Sequence, residues 1–346
     1  MKYFNFFFIA LLCLLTACKL VPSLGKNPEG EALTRVEQQP NYKDGAFKNL
    51  PYPDDTVQTR IKGSNMLKLF YGKPDSVTPP RQLPWVKTDL KILPDDKPVV
   101  VWFGHSSVLV KYRGVNMLID PVFSGNAGPV PGLVKAFKGA THYSVKDMPP
   151  VDVVIISHDH YDHLDYHTLK KLRSQVKKVV VPVGVGSHLR YWGFKPGQIV
   201  ELNWHQSFTF NNNISITATP ARHRSNRTFE GGKTLWASYV INTGPHRLFY
   251  SGDGGYGHHF KSIGTQYGPF NLALIECGQY SPNWPQARTM LPVHWAKFAE
   301  SSHVWNDPVR QLLPAAQTLG VNVTIPRLGE PYVVGSPAKQ KVWWEF

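Results

Sequence analysis

The stretch Ser157-His158-Asp159-His160-Tyr161-Asp162-His163-Leu164-Asp165 constrains this chain more than any other. His158, His160, Asp162 and His163 fall close together, directly after the apolar run Val153-Val154-Ile155-Ile156. A β-branched run bounded by polar residues reads as a buried strand. The cluster then sits on the turn leaving that strand's carboxyl end, where open α/β sheets place their ligands. Neutral imidazoles and a carboxylate are good Zn²⁺ ligands. His158 and His160, two apart, can converge on one ion, while Asp162 and His163 can point at a second beside it.

The first residues bear on compartment. Met1-Lys2 precedes an apolar stretch from Phe6 to Leu15, too short to span a bilayer, so residues 1–17 are expected to be a signal peptide. Leu15-Thr16-Ala17-Cys18 resembles the bacterial lipobox, which implies cleavage before Cys18 and a lipid on that cysteine. Lys19 beside it points to an outer-membrane lipoprotein facing the periplasm. Loss of Cys13 and lipidation of Cys18 leave Cys277 with no disulfide partner; it follows an apolar run and is expected to be a core thiol. The formal charge of +14 favours anionic lipid surfaces or phosphate-bearing substrates. Nucleic acid is not expected, because the charge is spread out and the compartment is wrong. A homodimer is compatible with the sequence.

Residues 18–79 are rich in proline and charge and are expected to form a tether and arm, leaving 80–346 as the catalytic-looking domain. There, strands are predicted at Val99–Phe103, Val108–Tyr112, Val115–Ile119, Val153–Ile156, Lys178–Val183, Ile199–Leu202, Ser207–Phe210 and Ile214–Thr219. Others follow at Trp236–Asn242, Arg247–Tyr250, Leu272–Glu276, Val321–Ile325 and Tyr332–Val334. Helices are predicted at His167–Val176, His188–Trp192 (capped by Ser187), Phe260–Tyr267 and Val309–Leu319, the last after Pro308. Strands mixed with helices argue an α/β sandwich.

Three more candidate ligands follow predicted strands or apolar runs: His223, Asp253 and His294. Singly each is unremarkable; with the cluster they complete a two-metal site. His158, His160 and His223 would hold one ion and Asp162, His163 and His294 the other, with Asp253 bridging. A Ser-His-Asp hydrolase is disfavoured by the lack of a Gly-x-Ser-x-Gly elbow.

The run His158–His163, with His223, Asp253 and His294 in that order, resembles the metallo-β-lactamase superfamily. Gly104-His105-Ser106-Ser107, Asp120-Pro121-Val122-Phe123, Pro220-Ala221-Arg222-His223, Gly252-Asp253-Gly254-Gly255-Tyr256-Gly257 and His294-Trp295 resemble its N-acylphosphatidylethanolamine phospholipase D and RomA-like branch. The likeness covers about residues 80–335. It implies an αβ/βα four-layer sandwich, two Zn²⁺ ions, and a hydrolase using a metal-bridging hydroxide on a phosphodiester. Asp162 and Asp253 would then be catalytic as well as ligating. The chain departs from the branch between Asp253 and His294, where it lacks a helix's worth of residues. Asp159 and His105 are expected to orient ligand imidazoles. Arg222, with Arg224 and Arg227 nearby, can grip phosphate, and Tyr256, Tyr280, Trp284 and Trp295 can line an acyl groove. His258 and His259 are expected at a helix start or on the surface. A lactonase or other ester hydrolase of the same fold, and a non-catalytic metal-stabilised envelope binding protein, are the alternatives.

Overall fold

Alternation along the valine-rich strands decides the layering. Val100 and Trp102 join one apolar cluster, Val99 and Val101 another, and all four are buried. A strand covered on both faces must lie between two layers. The computed structural model describes residues 21–51, 75–228, 230–277, 288–300, 303–339 and 341–346. The signal peptide, Cys18, Tyr280 and Trp284 lie outside these described residues.

Near the amino terminus stand helix α1 (Glu31–Glu37) and a short hairpin of β1 (Tyr42–Lys43) and β2 (Ala46–Phe47). Next come β3 (Val99–Trp102), β4 (Val108–Tyr112), β5 (Val115–Ile119), β6 (Val153–Ile155), α2 (Tyr166–Leu172), β7 (Lys178–Pro182), α3 (Gly186–Tyr191) and β8 (Ile199–Leu202). The second half supplies β9 (Ser207–Asn211), β10 (Ile214–Thr219), β11 (Ser238–Asn242), β12 (Arg247–Tyr250), α4 (His258–Tyr267), β13 (Leu272–Glu276), β14 (Met290–Val293) and α5 (Asp307–Thr318). Strand β15 (Pro331–Val333) returns to the first half, giving a seven-stranded sheet β15-β3-β4-β5-β6-β7-β8 and a six-stranded sheet β14-β13-β12-β11-β10-β9.

The sheets share one core. Val100, Trp102, Met117, Ile119, Val153 and Ile155 of the first meet Ile216, Ala218, Tyr239, Ile241 and Tyr250 of the second. The first sheet's other face buries Val101, Leu118, Val154 and Val181 against Leu169 and Leu172 of α2 and Leu189 of α3. On the second sheet Phe249 turns outward, its ring 6.1 Å from Phe260 of α4. The predicted four-layer αβ/βα sandwich is therefore present, with mixed sheets inside and helices outside.

Several local expectations shift. No strand is predicted at Met290–Val293, yet β14 forms there; it tolerates Pro292 because it is the edge of its sheet, where a missing N–H costs least. The strand expected at Val321–Ile325 reduces to a single bridge between Val323 and Met290. Helix α3 starts at Gly186, with no side-chain cap from Ser187. Residues 21–51, in the span expected as tether and arm, pack on the domain: Val36 and Phe47 are buried with Val183, Ala221, Leu235 and Trp236. Among the described residues no helix is long and apolar enough to cross a membrane.

Candidate metal centre

Strands β3, β5 and β6 run in one direction, as do β10, β12, β13 and β14 in the other sheet. Their carboxyl ends deliver His105, Asp120, His158, His223, Asp253, Glu276 and His294 to one rim of the sandwich. All seven ligands predicted from sequence meet there.

His223 Nε2 lies 3.2 Å from both His158 Nε2 and His160 Nδ1. A tetrahedral ion with bonds of about 2.0–2.1 Å sets its ligand atoms roughly 3.4 Å apart. The three nitrogens therefore already have the spacing of a coordination face. A second group, His105, Asp162, His163 and His294, clusters beside it. His163 Nε2 is 3.0 Å from Asp162 Oδ2, and His294 Nε2 is 3.6 Å from the same oxygen. Asp253 Oδ2 stands between the groups, 2.8 Å from His294 Nε2, 3.2 Å from His163 Nε2, 3.9 Å from His158 Nε2 and 4.0 Å from His223 Nε2. Among the described residues, His163 Nε2, His294 Nε2 and Asp253 Oδ1 are buried without a hydrogen bond of proper geometry. Buried polar atoms left unmade in this way cost free energy that a shared cation would relieve. The donor set is one that could hold metal.

Charge separates the two groups. Burial, then the neighbouring imidazoles, push His158 well below its usual range, and His223 down to about 3. His160 is lowered as well, by burial. Burial, the largest single influence, opposes charge on His163 and His294, but Asp253 and Asp162, with Asp120 on His163, together outweigh it and hold both rings well above their usual range. Asp253 and Asp162 are reciprocally held well below the usual carboxylate range: burial opposes this, and the histidines override it.

Supporting contacts fix which ring nitrogen faces the centre. His163 Nδ1 sits 2.6 Å from Asp120 Oδ2, and Asp120 also accepts from the Ser157 N–H at 2.8 Å, the Ser157 hydroxyl and the Tyr250 hydroxyl. Ser157 Oγ lies 3.0 Å from His158 Nδ1. Both rings thus present Nε2 inward, as an orienting partner on the opposite nitrogen requires. Sequence alone does not single out Asp120, Ser157 and Tyr250 as orienting residues; the signal it carries is Asp120 at the end of an apolar strand.

Two orienting expectations need correction. His105 Nε2 contacts the carboxylate of Asp162 at 2.8 Å, so it steadies an oxygen ligand and not an imidazole. Asp159 accepts from Thr234 Oγ1 at 2.9 Å and the Asn226 N–H at 3.2 Å, and its nearest ring is His188 at 3.6 Å. It ties the histidine loop to the 225–234 loop. Residues His105 and His294 both adopt positive φ, 51° and 66°, and the His294 N–H donates to the His105 carbonyl at 3.0 Å. Non-glycine residues held there cost about 1–3 kcal/mol each and cluster at functional sites.

The substrate-side residues divide. Arg222 is half-buried beside His223 and Arg224 is exposed. Arg227 is buried and spent on backbone carbonyls, donating to Asp159 at 2.7 Å, Leu164 at 2.9 Å and Ser23 at 2.6 Å, which removes it as a phosphate grip. Tyr256 stacks on Phe260, ring centroids 6.0 Å apart, and Trp295 is buried among Trp102, Trp305 and Trp343; both pack on the core. His258 is exposed at the start of α4 and His259 is buried. Cys277 is a buried thiol.

With fold and site in place, comparisons with known proteins converge. The architecture and the histidine–aspartate centre define a metal-dependent hydrolase fold. Residues 115–327, more than half of the chain, match the family described as a beta-lactamase superfamily domain, and the chain belongs to that family. An uncharacterized protein of Mycobacterium tuberculosis is 34% identical over 90% of this chain and 88% of its own length. N-acyl-phosphatidylethanolamine-hydrolyzing phospholipase D 1 of Caenorhabditis elegans is 30% identical over 63% of this chain and 70% of its own. Outer membrane protein RomA of Klebsiella pneumoniae is 42% identical over 25% of this chain and 65% of its own. Among solved structures, the metallo hydrolase Igni18 of Ignicoccus hospitalis aligns with a TM-score of 0.54 at 20% identity, covering 68% of this chain and 97% of that one, a likeness of fold.

Proposed function

We propose that this chain is a zinc-dependent phosphodiesterase of the phospholipase D type, held on the periplasmic side of the outer membrane by a lipid on Cys18. The observation that carries the reading is the single oxygen of Asp253 facing both donor groups, which suits a pair of metal ions. Resemblance to the C. elegans phospholipase supports the phosphodiester, and the RomA relative supports the compartment. The formal charge of +14 favours approach to anionic lipid.

Divalent ions held here would supply Lewis acidity and an activated water at neutral pH. The chain's residues do the rest. Asp253 fixes the separation of the two donor groups. Asp120 and Ser157 hold His163 and His158 in one tautomer, so that both Nε2 atoms stay available. Burial of the ligand cluster keeps bulk water from screening it. Arg222, next to His223 in the chain, is the proposed contact for a phosphate oxygen, for which its planar fork is suited.

Freshly purified protein is expected to carry two zinc equivalents and to hydrolyse a bis-aryl phosphodiester, with turnover abolished by chelator and restored by zinc. Purified protein free of transition metal would overturn the reading. Lactone turnover above phosphodiester turnover would move it to an ester hydrolase of the same fold.

A further inference from the structure

We infer that the N-terminal segment 21–51 is a brace for the three-histidine group, with Asn49 as the positioning residue for His223. The inference rests on the reading that His158, His160 and His223 hold a metal ion. His223 follows β10, which ends at Thr219, and the residues after it have no regular structure to fix them. The backbone of His223 is instead met by one side chain. Asn49 Oδ1 accepts from the His223 N–H at 3.1 Å, and Asn49 Nδ2 donates to the His223 carbonyl at 3.0 Å. This reproduces a pair of sheet bonds with an amide standing in for a neighbouring strand. The indole of Trp236 secures the arrangement, donating to Asn49 Oδ1 at 3.1 Å and to the Ala221 carbonyl at 3.0 Å.

The segment is held firmly enough to act in this way. Phe47 is buried, and its N–H donates to the Gly232 carbonyl at 2.8 Å. The Trp192 indole donates to the Pro22 carbonyl at 2.8 Å, and the Lys26 N–H donates to His188 Nδ1 at 3.0 Å. Arg227 joins the Ser23 carbonyl to those of Asp159 and Leu164, at either end of the histidine loop, and lies 4.3 Å from the Tyr161 ring centroid. Residues on both sides of the centre, His223 and the 159–164 turn, are thereby referred to one segment. Its own core contact, Val36 and Phe47 on Ala221 and Trp236, ends two residues before His223. Partners that orient a metal ligand change affinity by about 10–100-fold when removed.

The test measures metal binding by the full chain. Asn49→Leu keeps the number of side-chain heavy atoms and the branching and removes every side-chain hydrogen bond; Asn49→Asp keeps the acceptor and removes the donor. Asn41→Leu is the control: Asn41 donates to Asn203 Oδ1 at 3.1 Å in the same segment, away from the ligands. Zn²⁺ affinity from chelator competition and Co²⁺ visible absorption are recorded for each, with the thermal midpoint of metal-free protein. The expected result is an affinity loss of about tenfold and an altered Co²⁺ spectrum for Asn49→Leu, less for Asn49→Asp, and wild-type values for Asn41→Leu. Equal affinity in Asn49→Leu and wild type would overturn the brace while leaving the metal centre standing. So would equal losses in Asn49→Leu and Asn41→Leu, since that would show only segment docking. A wild-type chain that takes up neither Zn²⁺ nor Co²⁺ would remove the centre and the brace together.

Discussion

The two halves of the metal centre are built by different means. His158, His160 and His223 form a group of imidazoles lowered first by burial and, at His158 and His223, by one another, with Asp253 3.9 Å from His158 and 4.0 Å from His223, and His223 is steadied from outside by a distant segment. Asp162, His163 and His294 form a group already balanced by carboxylates, steadied from beneath by Asp120, Ser157 and Tyr250. Metal binding would differ accordingly: the first half offers imidazoles already lowered by burial, with Asp253 as their distant carboxylate, whereas the second must give up protons that its carboxylates hold.

The largest effect that breaks this division is expected from Asp253→Ala, which removes the oxygen common to both halves. Metal content should fall in both positions and phosphodiester turnover by on the order of a thousandfold or more, measured by elemental analysis and steady-state rates. A variant that retained one full equivalent in the three-histidine half would show the halves to be independent. Asp120→Asn should act on one half only, lowering affinity at the carboxylate-rich position by about 10–100-fold while the three-histidine position keeps its own; stepwise zinc titration separates the two.

Acidity sharpens the contrast. His163 and His294, raised well above 6.5 in the metal-free protein, hold protons at neutral pH that a metal must displace. Affinity of their half should therefore rise with pH across the neutral range, by up to about tenfold per unit for each proton released. The three-histidine half, with His223 lowered to about 3, is neutral throughout that range and should bind with little pH dependence. Calorimetric titrations in buffers of different ionisation enthalpy count the protons; equal counts for both steps would refute the distinction. The smallest effect is expected from Asp159→Asn, because its hydrogen bonds go to Thr234 and Asn226 and not to a ligand ring. Zinc affinity should change by less than the roughly tenfold lower end for an orienting partner.

The ligands were legible because ligand chemistry leaves few residue types to choose among, and His158 to His163 concentrate them on one turn after one apolar strand. His223, Asp253 and His294 were legible through order and resemblance, since nothing local marks a single histidine after a strand. The supporting residues were harder. Asp120, Ser157 and Tyr250 are common residue types whose role exists only once β5, β6 and β12 bring their ends together. Residues 21–51 read as a tether because their few apolar side chains follow no period; Val36 and Phe47 are buried by surfaces more than a hundred residues away.

Sequence alone determined the fold family and pointed to the seven candidate ligands that the structure brings together, because strand alternation and metal-ligand chemistry are written in short spans. Tertiary structure alone decided which nitrogen each ring offers, that Arg227 is consumed by backbone carbonyls, and that Asn49 meets His223. Those outcomes depend on hydrogen bonds between residues far apart in the chain, whose pairing is set by how the two sheets and the N-terminal segment dock.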